Sequence, residues 1–120
     1  MRIAAAQTAP VWGDREATTG IVVEWIERAA AQNVDLVAFG ETFLSGYAYW
    51  LAHTDGARFN AADQKEAYAY YLRGAVDLDG PELAAITATV AGTGVFTYLG
   101  ITERSASGGT VYATYVAIDP

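Results

Sequence analysis

The sequence has no cysteine, a single histidine and a single lysine among its 120 residues. Without cysteine, these residues can form no disulfide bond, no thiolate metal site and no cysteine nucleophile. One histidine, His53, is too few for a typical zinc site, so we expect no metal ion. Any chemistry that this chain carries must therefore depend on other side chains.

Positive charge is also scarce, with 7 Lys and Arg against 14 Asp and Glu and a net charge of −7. The basic residues are scattered singly, which excludes the basic patch that nucleic acid or an anionic membrane surface requires. No apolar run approaches the roughly 18 residues of a membrane span, and residues 3–6 are too short for the apolar core of a signal peptide. We predict a soluble, cytoplasmic protein with no nucleic-acid or membrane partner.

A chain of this length is expected to form one domain, here residues 1–120. Its apolar fraction is 52%, but much of that is alanine, which predicts a thin core. Small domains bury only roughly two thirds of the surface that their unfolded chain exposes. The last predicted strand is followed by no segment that could cover it. The sequence therefore predicts an apolar face that needs a partner.

Hydrophobic patterning in the first half of the chain predicts the order strand, helix, strand, loop. Residues 2–8 and 34–39 are compact apolar runs typical of buried strands. The helix between them has apolar residues at spacings of three and four, and Asp14 is placed to cap its start. An aromatic-rich loop at 41–60 follows, of the kind that lines or covers a site.

The second half predicts two helices and a β-hairpin. One helix is expected from Asn60 to a stop at Gly74, and another starts at Pro81. Residues 95–103 and 110–118 have the β-branched and aromatic composition of strands joined by a glycine-containing loop. The whole order, β, α, β, loop, α, α, β, β, is typical of an α/β or α+β fold.

Glu41 directly follows the predicted strand at 34–39, at the carboxyl end where open α/β sheets place ligands and reactive groups. A carboxyl group held among Phe39, Phe43 and Tyr47 would lose hydration, which raises a carboxyl pKa toward the range useful to a general base. Alternatively, the carboxylate caps the following turn by accepting hydrogen bonds from backbone N–H groups. Position alone leaves both interpretations open.

Residues 37–50, Val-Ala-Phe-Gly-Glu-Thr-Phe-Leu-Ser-Gly-Tyr-Ala-Tyr-Trp, resemble the first signature of the nitrilase (carbon-nitrogen hydrolase) superfamily, and most of all its nitrilase branch. Other segments resemble the same family in order along the chain: 4–7 with Pro10, 34–37, 80–82, 99–104 and 111–120. The resemblance implies the N-terminal part of a four-layer α-β-β-α sandwich.

The resemblance also implies a cofactor-free hydrolase that converts a small nitrile to a carboxylic acid and ammonia, or that acts on an amide. In this family a glutamate is the general base, a lysine stabilises charge on the substrate and a cysteine attacks the carbon. Only Glu41 corresponds to this set. The sole lysine, Lys65, lies well before the family's position and is expected on a solvated helix surface. We therefore expect a truncated family member that is inactive alone.

By family position, Tyr47 and Trp50 correspond to substrate-binding residues, although aromatic side chains in a loop also pack on a domain's own core. The family usually has proline where this chain has Ser45 and Ala48, on either side of the turn at Gly46 and Tyr47. Losing these prolines loosens the backbone of the loop without removing the turn.

Two other functions are open on the sequence alone. The chain could be a non-catalytic module that acts by protein–protein interaction through the edge of its last strand. It could also be an unrelated small ligand-binding domain. Family members commonly assemble, so a homo-oligomer is a further expectation that the resemblance carries.

Overall fold

The sheet of this protein consists of four strands, β1 (Ile3–Ala5), β2 (Leu36–Ala38), β3 (Phe96–Arg104) and β4 (Val111–Ile118). The computed structural model describes residues 1–56 and 58–120. The strands lie in the order β1-β2-β3-β4. The first three are parallel, with Val37 between Ala4 and Thr97, and β4 is antiparallel to β3. All four predicted strands are present, but β1 and β2 have only 3 residues each and are shorter than the apolar runs that predicted them.

The helices are α1 (Arg15–Ala31), α2 (Trp50–His53), α3 (Ala62–Arg73) and α4 (Pro81–Thr93). The predicted helices are present, and α2 is an additional short helix within the aromatic loop. Asp14 caps α1 by accepting a hydrogen bond from the Ala17 amide at 2.9 Å, as the sequence indicated. Asn60 has a left-handed φ of 56°, which is why α3 starts beyond it.

The hydrophobic core lies between one face of the sheet and the helices α1 and α4. Each helix contributes an apolar stripe at the spacing that the sequence predicted. Burying one such aliphatic side chain contributes about 1.5–3 kcal/mol. The main participants are Val22, Ile26 and Ala29 from α1, Leu83, Ile86 and Val90 from α4, and Val37, Leu99 and Ile101 from the sheet.

The opposite face of the sheet is open over part of its area, where it carries exposed apolar side chains. Ile3, Tyr98 and Tyr115 are all exposed there, and the two tyrosine rings stack with centroids 5.5 Å apart. The radius of gyration is 15.3 Å, whereas a self-contained domain of this length has about 14 Å. The uncovered apolar face that the sequence predicted is therefore present. No helix in the described residues is long and apolar enough to cross a membrane.

Candidate functional site

Glu41 lies on a turn that rises out of the sheet where β2 ends. The Phe39 amide donates to the Tyr98 carbonyl at 2.8 Å, and the Leu44 amide donates to the Gly100 carbonyl at 3.1 Å. Between these two bonds β3 advances by two residues while the opposing chain advances by five. Residues 40–43 lie opposite the single residue Leu99, so they cannot all stay in the ladder and they pass over the open face of the sheet, much as in an enlarged bulge.

Thr42 completes this turn in a left-handed conformation, with φ of 49°. Such a φ is a genuine outlier for a β-branched residue, because its side chain crowds the backbone. Backbone strain of this kind costs about 1–3 kcal/mol and is concentrated at functional sites. The conformation of Thr42 thus supports Glu41 as the centre of a site.

Two cavities adjoin Glu41. One has a volume of about 220 Å³ and the other about 280 Å³. Both are smaller than the roughly 300–1,000 Å³ of sites for drug-sized ligands, so they suit a small molecule. Glu41 and Tyr47 line both cavities; the first is completed by Thr42, Ala48, Tyr71, Thr102, Val111, Tyr112 and Ala113, and the second by Thr8, Pro10, Gly40, Phe43 and Tyr49.

The Glu41 side chain is exposed, and within residues 1–56 and 58–120 its carboxylate makes neither a hydrogen bond nor an ion pair. Both arrangements considered from the sequence therefore need correction. Phe39 and Phe43 do not enclose the carboxylate, because their rings turn into the core and contact each other with centroids 5.3 Å apart. The carboxylate does not cap the following turn either. It is free to act on a group that enters from the open face.

Tyr47 and Trp50 occupy different environments. Tyr47 is exposed and forms part of the wall of both cavities. Trp50 is half-buried at the start of α2, and its ring packs on Tyr71 at 4.9 Å and edge-on against Trp12 at 6.3 Å. It lines neither cavity beside Glu41, but Tyr71, on which it packs, lines one of them.

Trp12 restrains the loop that carries Tyr47, and sequence reasoning did not identify it. Its indole Nε1 donates to the Tyr47 carbonyl at 2.8 Å. Gly46 has φ of 83°, and a Cβ there would lie 2.4 Å from Trp12 Cδ1, so glycine is required for this close approach. Ser45, in the same loop, donates from Oγ to the Gly74 carbonyl at 3.0 Å. This hydrogen bond also restrains the loop.

Lys65 lies on the exposed surface of α3, with Nζ hydrogen-bonded to Asn60 Oδ1. His53 is likewise exposed, at the end of α2. Over the described parts of the chain, no three His, Asp or Glu side chains come together in a group that could hold a metal ion. The chemistry available at this site is therefore that of one free carboxylate beside tyrosine-lined cavities.

The sequence profile of the carbon-nitrogen hydrolase family matches residues 2–120. The chain belongs to the carbon-nitrogen hydrolase family. Among curated relatives, Nitrilase 2 from an unknown prokaryotic organism is 37% identical over 117 residues, which are 97% of this chain and 36% of that protein. The aliphatic nitrilase of Sinorhizobium fredii (strain HH103) is 31% identical over 125 residues, covering 99% of this chain and 38% of that protein.

Solved structures show the same fold. The CN-hydrolase superfamily protein XC1258 from Xanthomonas campestris matches with a TM-score of 0.70 at 24% identity, over 100% of this chain and 37% of its own. An amidase from Nesterenkonia sp. matches with a TM-score of 0.64 at 18% identity, over 99% of this chain and 38% of its own. The family and fold predicted from the sequence are confirmed. The chain spans little more than a third of these relatives and corresponds to their N-terminal portion.

Proposed function

We propose that this chain is the N-terminal part of a nitrilase-type hydrolase, in which Glu41 is the general base. The observation that carries the proposal is the exposed Glu41 carboxylate beside two small cavities, in a chain that the family's sequence profile matches over residues 2–120. The complete enzyme would convert a small nitrile to a carboxylic acid and ammonia, or hydrolyse a small amide, without a cofactor. It would be cytoplasmic and could form a homo-oligomer.

Glu41 would act on a thiol that the rest of the enzyme supplies. A cysteine is only a few per cent thiolate at neutral pH, so a base must remove its proton as the sulfur attacks the substrate carbon. A carboxylate without another partner can accept that proton, pass it to the substrate nitrogen that leaves as ammonia, and then, as a carboxylate again, activate the water that hydrolyses the thioester. Tyr47 would border the substrate. Trp50 would help to shape the cavity that Tyr47 and Tyr71 both line, because its ring packs on Tyr71.

Residues 1–120 alone should not hydrolyse nitriles. They contain no cysteine, and their only lysine, Lys65, extends from the exposed surface of α3. Neither the nucleophile nor the charge-stabilising group of the family is therefore provided. Measurable turnover by the purified 120-residue chain, abolished by Glu41→Gln, would contradict this assignment of roles.

The direct test starts from the coding DNA, read in frame beyond Pro120. The proposal expects a lysine codon and then a cysteine codon in the family's order. In that catalytically complete product, Glu41→Gln should lower kcat by about 10²–10⁴-fold, the usual contribution of a general base. Glu66→Gln, at an exposed position on α3, is the matched control and should leave kcat unchanged. Equal activity of both variants would refute the role of Glu41.

The second candidate function is a non-catalytic interaction module, which the open face of the sheet favours. The outer edge of β4 could accept strands from an intact family member. The exposed Tyr98 and Tyr115 could pack against the same partner. A stop codon directly after Pro120, together with a stable complex between this chain and such a family member in size-exclusion chromatography, would support the module. If the chain remains a monomer and forms no complex with the family member, the interaction module is excluded.

A further inference from the structure

Gly100, on β3, lies directly beneath the turn that carries Glu41. A Cβ at this position would lie 2.1 Å from the Gly40 carbonyl oxygen, 2.7 Å from the Thr42 amide nitrogen and 2.9 Å from Glu41 Cα. Real Cβ atoms essentially never approach other heavy atoms this closely. By contrast, a Cβ at Gly92, on α4, would have nothing within 4 Å. Glycine is therefore required at position 100, under the turn, but not at position 92.

The crowding atoms all belong to the backbone, so they cannot move aside as the end of a flexible side chain could. The turn is held on both sides by the hydrogen bonds of Phe39 and Leu44 to β3, and Thr42 within it is already strained. A methyl group at position 100 would have to push the whole turn away from the sheet. The group displaced with it is the Glu41 carboxylate.

We propose that Gly100 is a positioning residue for Glu41, because its missing side chain lets the backbone of residues 40–42 cross in contact with β3 and thereby sets where the carboxylate stands. This inference rests on the proposed function of Glu41 as the general base. It adds that the placement of the base depends on a glycine some sixty residues further along the chain. Position 100 should accordingly tolerate no larger residue without loss of catalysis, whatever its polarity.

The first test is the NMR spectrum of the 120-residue chain. Gly100→Ala should shift the signals of residues 40–44, including the Glu41 side chain, much more than those of α1 and α4. Ile101→Val is the matched control, because it weakens the opposite face of the same strand by about 0.5–1.5 kcal/mol without touching the turn. Unchanged Glu41 signals in folded Gly100→Ala would overturn the inference. If Gly100→Ala does not fold alone, it is compared in the Thr42→Gly background, where the turn is freer to move.

The second test is a double-mutant cycle in the catalytically complete product. Gly100→Ala should lower kcat by about 10²-fold, as a misplacement of about 1 Å can, with a smaller change in KM. In the Glu41→Gln background it should cause no further loss, whereas Gly92→Ala should be silent in both backgrounds. Additive losses would show that Gly100 does not act through Glu41. Full activity of Glu41→Gln would refute the general base itself, and the NMR comparison would still decide whether Gly100 holds the turn.

Discussion

Replacing Arg15 by methionine should destabilise the protein, because Arg15 joins the two helices that cover the sheet. Its Nε lies 2.8 Å from Glu82 Oε1, and its Nη1 donates to the Ala75 carbonyl at 2.9 Å. The Glu82 side chain is only 11% exposed, against 38% for Arg15. Methionine retains most of the apolar stem and removes the charge and both hydrogen bonds.

The expected cost is about 2 kcal/mol. Losing one partner of a fully buried ion pair costs about 3–5 kcal/mol, and a fully exposed pair contributes only about 0–1 kcal/mol. The half-exposed Arg15 places this pair between those limits. The lost bond to Ala75 adds to the cost, while the N-terminus of α4 still stabilises Glu82 by about 0.3–1 kcal/mol. For a chain of this length, about 2 kcal/mol corresponds to a fall in Tm of about 8 °C.

Urea and thermal unfolding of the variant measure this cost. Arg28→Met is the matched control on the same helix, because Arg28 lies 3.7 Å from Glu24 in a pair whose side chains are 54% and 65% exposed. It should cost less than about 1 kcal/mol. Glu82→Gln should cost less than Arg15→Met, since the more exposed Arg15 keeps solvent and Ala75 as partners. Equal costs for the two arginine variants would refute the reasoning from burial.

Two further predictions concern single hydrogen bonds. Tyr71→Phe removes the 2.6 Å hydrogen bond between the Tyr71 and Thr102 hydroxyls, both buried. Because the ring contact with Trp50 persists, the variant should lose only about 1–2 kcal/mol of unfolding free energy in urea. An unchanged urea midpoint would contradict this prediction. The hydrogen bond from Arg58 holds the pKa of Asp63 below its ordinary value of 3.8. The ionised Asp63 therefore contributes to stability above pH 3.8, and this contribution is lost as the pH falls below that value. Asp63→Asn should therefore make the free energy of unfolding less dependent on pH in the acid range. The same pH dependence in both proteins would show that the Arg58 contact is unimportant.

The site itself was only partly accessible to sequence reasoning. Glu41 could be selected because it follows a compact apolar run, and the family signature around it is local in the chain. The exposure of its carboxylate could not be foreseen, since Phe39 and Phe43 are near neighbours in sequence and yet their side chains are buried in the core. The neighbours of Trp50 could not be foreseen either, because Trp12 and Tyr71 reach it from distant segments.

By itself, the sequence determined the order of the strands and of the three longer helices, the start of α1 at Asp14, the hairpin of β3 and β4, and the family. These features depend on interactions within a few residues, such as capping, backbone preferences and apolar periodicity. Only the tertiary structure decided that Arg15 meets the Ala75 carbonyl 60 residues away and that Gly100 lies beneath Glu41. Such contacts have no local signal, because they arise when separate elements pack together and bring distant backbone and side-chain groups within bonding distance.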